Sequence, residues 1–234
     1  LRTNQFLPGY TWAMNKTVTI LMIAASVSCL TLVIYCIYGH LRITRVSQGV
    51  PIPNYETEAS ALLIIDMQRD ATEPSGRLVM NPAATDRIIE NLNAVTPALR
   101  KRRTLFVMIR HEWEENWILQ ILTNHSLRPG TRGSEVDPRI AVKPDTIITK
   151  QTSDSFGTPA LDAYLRENKI SHLYLSGTGA NHCIRRTAEA ALQRGYKVTV
   201  LRELVAGKTD AETIEGLQSM EKSGGKIASV ESLR

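Results

Sequence analysis

Hydrophobic positions along the chain follow three different patterns. From Thr17 to Tyr38 they run unbroken, TVTILMIAASVSCLTLVIYCIY, without a charged residue. As a helix rising ~1.5 Å per residue this run is about 33 Å long, enough to span a bilayer. A cleavable signal peptide would carry an apolar core of only ~7–15 residues followed by a small-residue cleavage site. The pattern therefore predicts a transmembrane helix over 17–38, behind an N-terminal tail over 1–16. Within that tail Met14-Asn15-Lys16 reads as a natural start and residues 1–13 as an upstream extension. Next comes a polar stretch ending in GVPIPNYETE at 49–58, whose two prolines favour extended backbone, so 39–58 is expected to be a linker.

From residue 59 to 234 short apolar runs alternate with amphipathic ones, the pattern of one globular domain of ordinary size. Strands are predicted at 61–65 (ALLII), 104–109 (TLFVMI), 146–149 (TIIT), 172–176 (HLYLS), 197–201 (KVTVL) and 226–230 (KIASV). Helices are predicted near 82–101, 158–168, 183–194 and 209–222, with Asn81-Pro82 as an entry signal and Gly195 as a stop. Strands separated by helices pair in parallel, so the expected fold is α/β: a three-layer αβα arrangement around a six-stranded, mostly parallel, doubly wound sheet. Residues 111–143 are less regular and predict a short helix with a long loop over one end of the sheet.

Composition changes this picture little. Hydrophobic residues make up 43% and charged residues 22%, values that exclude a disordered, collagenous or disulfide-rich chain. The formal charge of +5 is spread out, and its one dense cluster, Arg100 to Arg103, reads as a solvated helix end rather than a nucleic-acid surface. Charge also orients the apolar helix: Tyr35 and Tyr38 suit a membrane interface, and His40, Arg42 and Arg45 follow it, which favours a cytoplasmic domain. Of three cysteines, Cys29 and Cys36 lie in the apolar run and Cys183 stands alone in the domain, so no disulfide framework exists there.

Candidate chemistry enters through the ends of the strands, because ligands of open parallel sheets bind outside the carboxyl ends. Asp66 closes the first strand (LLIID), Lys150 the third (IITK), and Cys183 follows the fourth after SGTGANH. Each alone has an ordinary structural reading, as a turn acid, a solvated lysine and a small buried hydrophobe. Together they supply what nucleophilic catalysis needs: a base for the thiol proton, a cation for the thiolate, and a cleft. Cys183 opens an amphipathic helix, CIRRTAEAALQRG, whose N-terminus favours an anion and predicts a lowered thiol pKa. Gly177 and Gly179 permit unusual backbone in the preceding loop, Asn181 is a candidate helix cap, and loop amides are candidate oxyanion donors.

Three segments, ALLIIDMQRD at 61–70, KQTSDSFGTPALDAYLRENKI at 150–170 and LSGTGANHCIRRTAEAALQRGYKVTV at 175–200, together resemble the isochorismatase-like cysteine hydrolases, a family that includes nicotinamidases and biuret and carbamoylsarcosine amidohydrolases. The resemblance covers roughly residues 59–234. It implies hydrolysis of a non-peptide C–N bond (amide, ureide or lactam) of a small molecule through a thioester, with Asp66, Lys150 and Cys183 as the catalytic triad. It also implies an oxyanion hole formed by the amides of Gly179 and Cys183, and a cis peptide at Thr178-Gly179. Family members usually carry an acid where Asn181 stands.

Nicotinamidases of that family place an Asp-x-His pair and a later histidine near the second strand, whereas this chain reads IRHEWEENW at 109–117. His111 lacks the acid at pair spacing, so neither a metal nor another cofactor is expected, and His111, Glu112 and Trp113 are read as substrate-binding residues. His172 and His182 are read as structural. A vinyl-ether hydrolase acting on isochorismate is a rival reading, but those relatives lack the cysteine. A non-catalytic membrane scaffold would not need the three site residues, and a redox sensor would need a resolving cysteine. The expected partners are a small-molecule substrate, a membrane through 17–38 and further copies of the chain in a homo-oligomer.

Overall fold

The computed structural model describes residues 16–78 and 80–233, so the tail and the start reading at Met14 lie almost wholly outside the described residues. In chain order the elements are α1 (Lys16–Thr44), β1 (Ala59–Ile65), α2 (Arg69–Thr72), α3 (Pro82–Lys101), β2 (Leu105–His111), α4 (Trp117–Leu122), β3 (Thr146–Lys150), α5 (Pro159–Glu167), β4 (Ile170–Thr178), α6 (Arg185–Gln193), β5 (Lys197–Ala206), α7 (Asp210–Lys222) and β6 (Lys226–Ala228). Contacts divide the chain into two compact units, residues 1–41 and 42–234.

In the first unit α1 is the one described helix long and apolar enough to cross a membrane by length and composition, properties that an N-terminal signal sequence shares. It runs past the expected end at residue 38 to Thr44.

All six expected strands form one sheet, ordered β3-β2-β1-β4-β5-β6, with every neighbouring pair parallel. Alternation along each strand divides the core. Leu62, Ile64, Phe106 and Met108 pack with Ile88, Leu92, Val95 and Leu99 of α3, while Leu63, Ile65, Val107 and Ile109 pack with Leu161 and Leu165 of α5, Ile184 and Ala188. Strands buried on both faces read as unbroken apolar runs, which is why ALLII gives no two-residue alternation.

The local signals act as their chemistry predicts. Asn81 caps α3 by accepting from the Ala84 amide, with Pro82 in the first turn, and Gly195 ends the segment after α6 at φ +81°. Arg100 and Lys101 occupy the last turn of α3, and Arg100 pairs with Asp145.

Residues 45–58 form neither helix nor strand, in keeping with their two prolines, yet they are not a free spacer. Val46 and Ile52 pack against the core, the Ile52 amide donates to the Arg194 carbonyl at 2.8 Å, and Arg166 donates to the Val50 carbonyl. Apolar residues at 46 and 52 in an otherwise polar stretch are what hold the segment down.

Candidate active site

Chain order reverses between β1 and β4, which makes the gap at their carboxyl ends the topological switch point of the sheet. Register sets the site around it. Ile65 lies opposite Ile109 on one side and Gly177 on the other, and His111 lies opposite Lys150. Asp66, His111, Lys150 and the loop from Gly177 to Cys183 therefore converge from four adjacent strands.

Asp66 leaves β1 at φ +55°, a left-handed conformation that aspartate tolerates better than most residues and that recurs at functional sites. Two bonds impose it: the Asp66 amide donates to the Ile109 carbonyl at 3.0 Å, and Thr178 Oγ1 donates to the Asp66 carbonyl at 2.9 Å. Gly177 is required beside it, because a Cβ there would stand 1.9 Å from the Ile65 carbonyl oxygen.

Lys150 is buried with its Nζ donating to Asp66 Oδ2 at 2.9 Å and sharing its remaining two N–H groups among His111 Nδ1 at 3.2 Å and the carbonyls of Thr152 and Ser153 at 3.2 and 3.3 Å. Burial opposes the ammonium charge, but Asp66 and Cys183 outweigh it and its pKa moves upward. His111 shifts the other way, well below its ordinary value, because burial and then Lys150 both disfavour an imidazolium. A neutral His111 that accepts from Lys150 at Nδ1 must carry its proton on Nε2. That Nε2 is buried and lacks a hydrogen-bond partner, as does Nε1 of Trp113, whose ring lies 4.0 Å from the His111 ring.

Cys183 sits in a single π turn, Ala180–Ile184, closed by the Ile184 amide donating to the Gly179 carbonyl and running directly into α6. Its donor atom lies within 4.8 Å of both the Asp66 carboxylate and a His111 ring nitrogen. Gly179 faces it at φ +77°, where a Cβ would come 3.7 Å from Sγ. The turn is backed by α7, since Gly216 presses against Ala180 so closely that a Cβ would stand 2.7 Å from the Ala180 carbonyl.

Three expectations for this loop are corrected. The described residues contain no cis peptide, so Thr178-Gly179 is trans, and the positive φ of Gly177 and Gly179 takes the chain around the corner instead. Asn181 does not cap: the π turn and α6 carry no side-chain cap. The Cys183 thiol is not lowered but pushed up to about 12. Burial raises it most, Lys150 lowers it, and Asp66 raises it again.

Of the residues proposed for substrate, His111 and Trp113 stand together, while Glu112 is paired with Arg110. His172 bonds Thr199 at 2.8 Å, in keeping with a structural role. Sequence reasoning passed over Gln68, fully buried, whose side chain donates to the carbonyls of His111 and Ser134 and accepts from the His111 amide at 2.7 Å. A glutamine two residues beyond a strand-end acid was its only signal. Asp66, His111 and Cys183 are also a donor set close enough for a metal, but the Lys150 ammonium already holds both Asp66 and His111. A cation there would lie against the buried ammonium, and the repulsion between the two disfavours a metal in this set.

Residues 60–232 match the Isochorismatase domain. The chain belongs to the isochorismatase family. Among its family relatives, ureidoacrylate amidohydrolase RutB of Klebsiella pneumoniae is 24% identical over 206 residues, covering 76% of this chain and 87% of that protein. The crystal structure of an isochorismatase-like hydrolase from Alkaliphilus metalliredigens is 28% identical with a TM-score of 0.66, covering 74% of this chain and 96% of that one. A pyrazinamidase of Pyrococcus horikoshii, in complex with zinc, is 28% identical with a TM-score of 0.63, covering 73% and 98%. The family and these neighbours are hydrolases, several of them named for amides.

Proposed function

We propose that this isochorismatase-family protein is a cysteine amidohydrolase that cleaves a C–N bond of a small amide, ureide or lactam, with Cys183 as nucleophile, Asp66 as base and Lys150 as the cation they share. The observation that carries the reading is the convergence of one acid, one ammonium and one thiol at the switch point of the sheet. At rest the thiol keeps its proton, because an unaided thiolate is disfavoured there. When Asp66 takes the Sγ proton, Lys150 passes from pairing a carboxylate to pairing a thiolate. The trio keeps its total charge, so no isolated buried ion is created.

The sulfur then attacks the carbonyl carbon, and the backbone amides of Gly179 and Cys183 receive the oxyanion. Collapse expels the nitrogen, which takes the proton back from Asp66 and leaves a thioester. Water, deprotonated by Asp66, hydrolyses it to the carboxyl product and restores the thiol. Two buried N–H donors without partners, on His111 and Trp113, support a role in holding a substrate acceptor. The apolar run of α1 supports a membrane-anchored form of the enzyme, its basic C-terminal flank favouring a cytoplasmic domain.

Screening the purified protein against primary amides, ureides and lactams for released ammonia or ring opening tests the reading. The expected result is activity that Cys183→Ala lacks. Hydrolysis that survives this substitution undiminished overturns it.

A further inference from the structure

Residues 42–49, the end of α1 and the stretch that follows it, lie ahead of the matched family domain and make a set of bonds aimed at the loops that hold Lys150 and Cys183. The Ser153 amide donates to the Ile43 carbonyl at 2.9 Å, and the Ser47 amide donates to Asp154 Oδ2 at 2.8 Å. Arg186, one turn beyond Cys183, donates to the Thr44 carbonyl. Arg194, almost fully buried, completes the attachment. It donates through Nη1 to the Ser47 carbonyl at 2.9 Å, through Nη2 to Ser47 Oγ and the Gln48 carbonyl at 3.1 Å each, and through Nε to Asp162, while its guanidinium lies 4.6 Å from the centre of the Phe156 ring.

This attachment bears directly on Lys150. The Ser153 carbonyl accepts from Lys150 Nζ while the Ser153 amide is held by Ile43, so one peptide segment connects the two. Next to it, Asp154 takes the Ser47 amide on one oxygen and the Phe156 amide on the other. A loop pinned on both sides holds its carbonyls in place, and misplacing a catalytic group by ~1 Å can cost on the order of 10²-fold in rate.

Resting on the cysteine-hydrolase reading above, we propose that residues Ile43 to Gly49 are a positioning strap of the active site, fixing the 151–155 loop and hence the Lys150 ammonium, so that the chain emerging from α1 is a working part of the enzyme and not a tether. The strap lies ahead of residues 60–232, the span of the family domain. The buried Arg194 thus joins residues 47 and 48 to Asp162 and Phe156 of the domain and to the Ala190 carbonyl of α6.

The test uses the full-length protein and p-nitrophenyl acetate as acylating probe. It follows p-nitrophenolate release in single turnover and acetylation of Cys183 by mass spectrometry. Ser47→Pro removes the amide that bonds Asp154, while Ser47→Ala keeps it. Gly49→Val releases the strap from the other side, since a Cβ at Gly49 would stand 2.3 Å from Arg194 Nε. Ile52→Ala weakens the same segment away from the Lys150 loop. The expected result is acylation slowed on the order of tenfold or more in Ser47→Pro and Gly49→Val, with little change in half-saturating probe concentration. Ser47→Ala and Ile52→Ala should stay within about twofold of the parent, even where Ile52→Ala melts earlier. Parent-like rates in folded Ser47→Pro and Gly49→Val overturn the proposal, as does slowing in Ile52→Ala that tracks its lost stability. Absence of acetyl-Cys183 in the parent protein is a different failure, one that removes the cysteine-hydrolase reading and this inference with it.

Discussion

Lys150 Nζ lies 2.9 Å from Asp66 Oδ2, a buried ion pair bridging strands that are not neighbours, with β2 between them. Removing one member of such a pair strands the other charge, at a cost of about 3–5 kcal/mol. Lys150→Met should therefore lose both activity and stability. Asp66→Asn, which keeps the shape but strands the Lys150 ammonium, should likewise lose both, whereas the double variant Asp66→Asn/Lys150→Met should lose activity with a smaller loss of stability. Denaturant unfolding of the three variants, read beside their turnover, checks the contrast.

Cys183 should be dispensable for folding and indispensable for turnover. Cys183→Ser is expected to melt within a few degrees of the parent, because the side chain is only partly buried and the change is small. Its hydrolysis should fall by at least ~10³-fold. Because the thiol is pushed up to about 12, alkylation by iodoacetamide should climb steeply as the pH is raised beyond 9, without a plateau near neutrality. A plateau at pH 7 would mean that the thiolate is already formed in the resting site.

Stability should fall on the acid side through the histidines. His111 titrates well below 6.5 in the folded protein, and His172 and His182 are lowered as well, each chiefly by burial. Below pH 6.5 the unfolded chain takes up protons that the native protein refuses. Stability is thus complete above that pH and is lost as the pH falls toward the folded values. The slope approaches about 1.4 kcal/mol per pH unit for the buried His111 and is much smaller for the half-buried His172 and the exposed His182, where solvent screens the charge. Melting curves between pH 5 and 7.5 should show the decline, and His111→Gln should flatten it.

A form of the protein beginning at Tyr55 keeps every strand but loses Val46, Ser47 and Ile52, and it removes the carbonyls that Arg194 uses at residues 47 and 48. Arg194 keeps Asp162 and the Ala190 carbonyl but loses three of its hydrogen bonds, each worth about 0.5–1.5 kcal/mol net, together with the packing of Val46 and Ile52. A form beginning at Arg42 should therefore unfold at a clearly higher denaturant concentration than one beginning at Tyr55. Equal midpoints would show that the segment contributes nothing to the domain.

The sequence by itself determined the fold class, all six strands, the long apolar helix and the convergence of Asp66, Lys150 and Cys183. Each of these depends on short-range pattern: apolar runs bounded by turns, and polar residues placed one step beyond a strand. The tertiary structure alone decided the rest. Whether a thiol at a helix start is acidic depends on what surrounds it, and burial together with the neighbouring Asp66 outweighed Lys150. Whether a proline-bearing segment is free depends on a distant side chain, and Arg194 is separated from Ser47 by the whole of the sheet's central strands in sequence. Gln68 and Gly216 were silent for the same reason, since one matters by reaching the backbone of β2 and the other by letting α7 touch the turn that carries Cys183. Periodicity records which face of an element is buried; it carries no record of which residues, far apart in the chain, meet when the layers close.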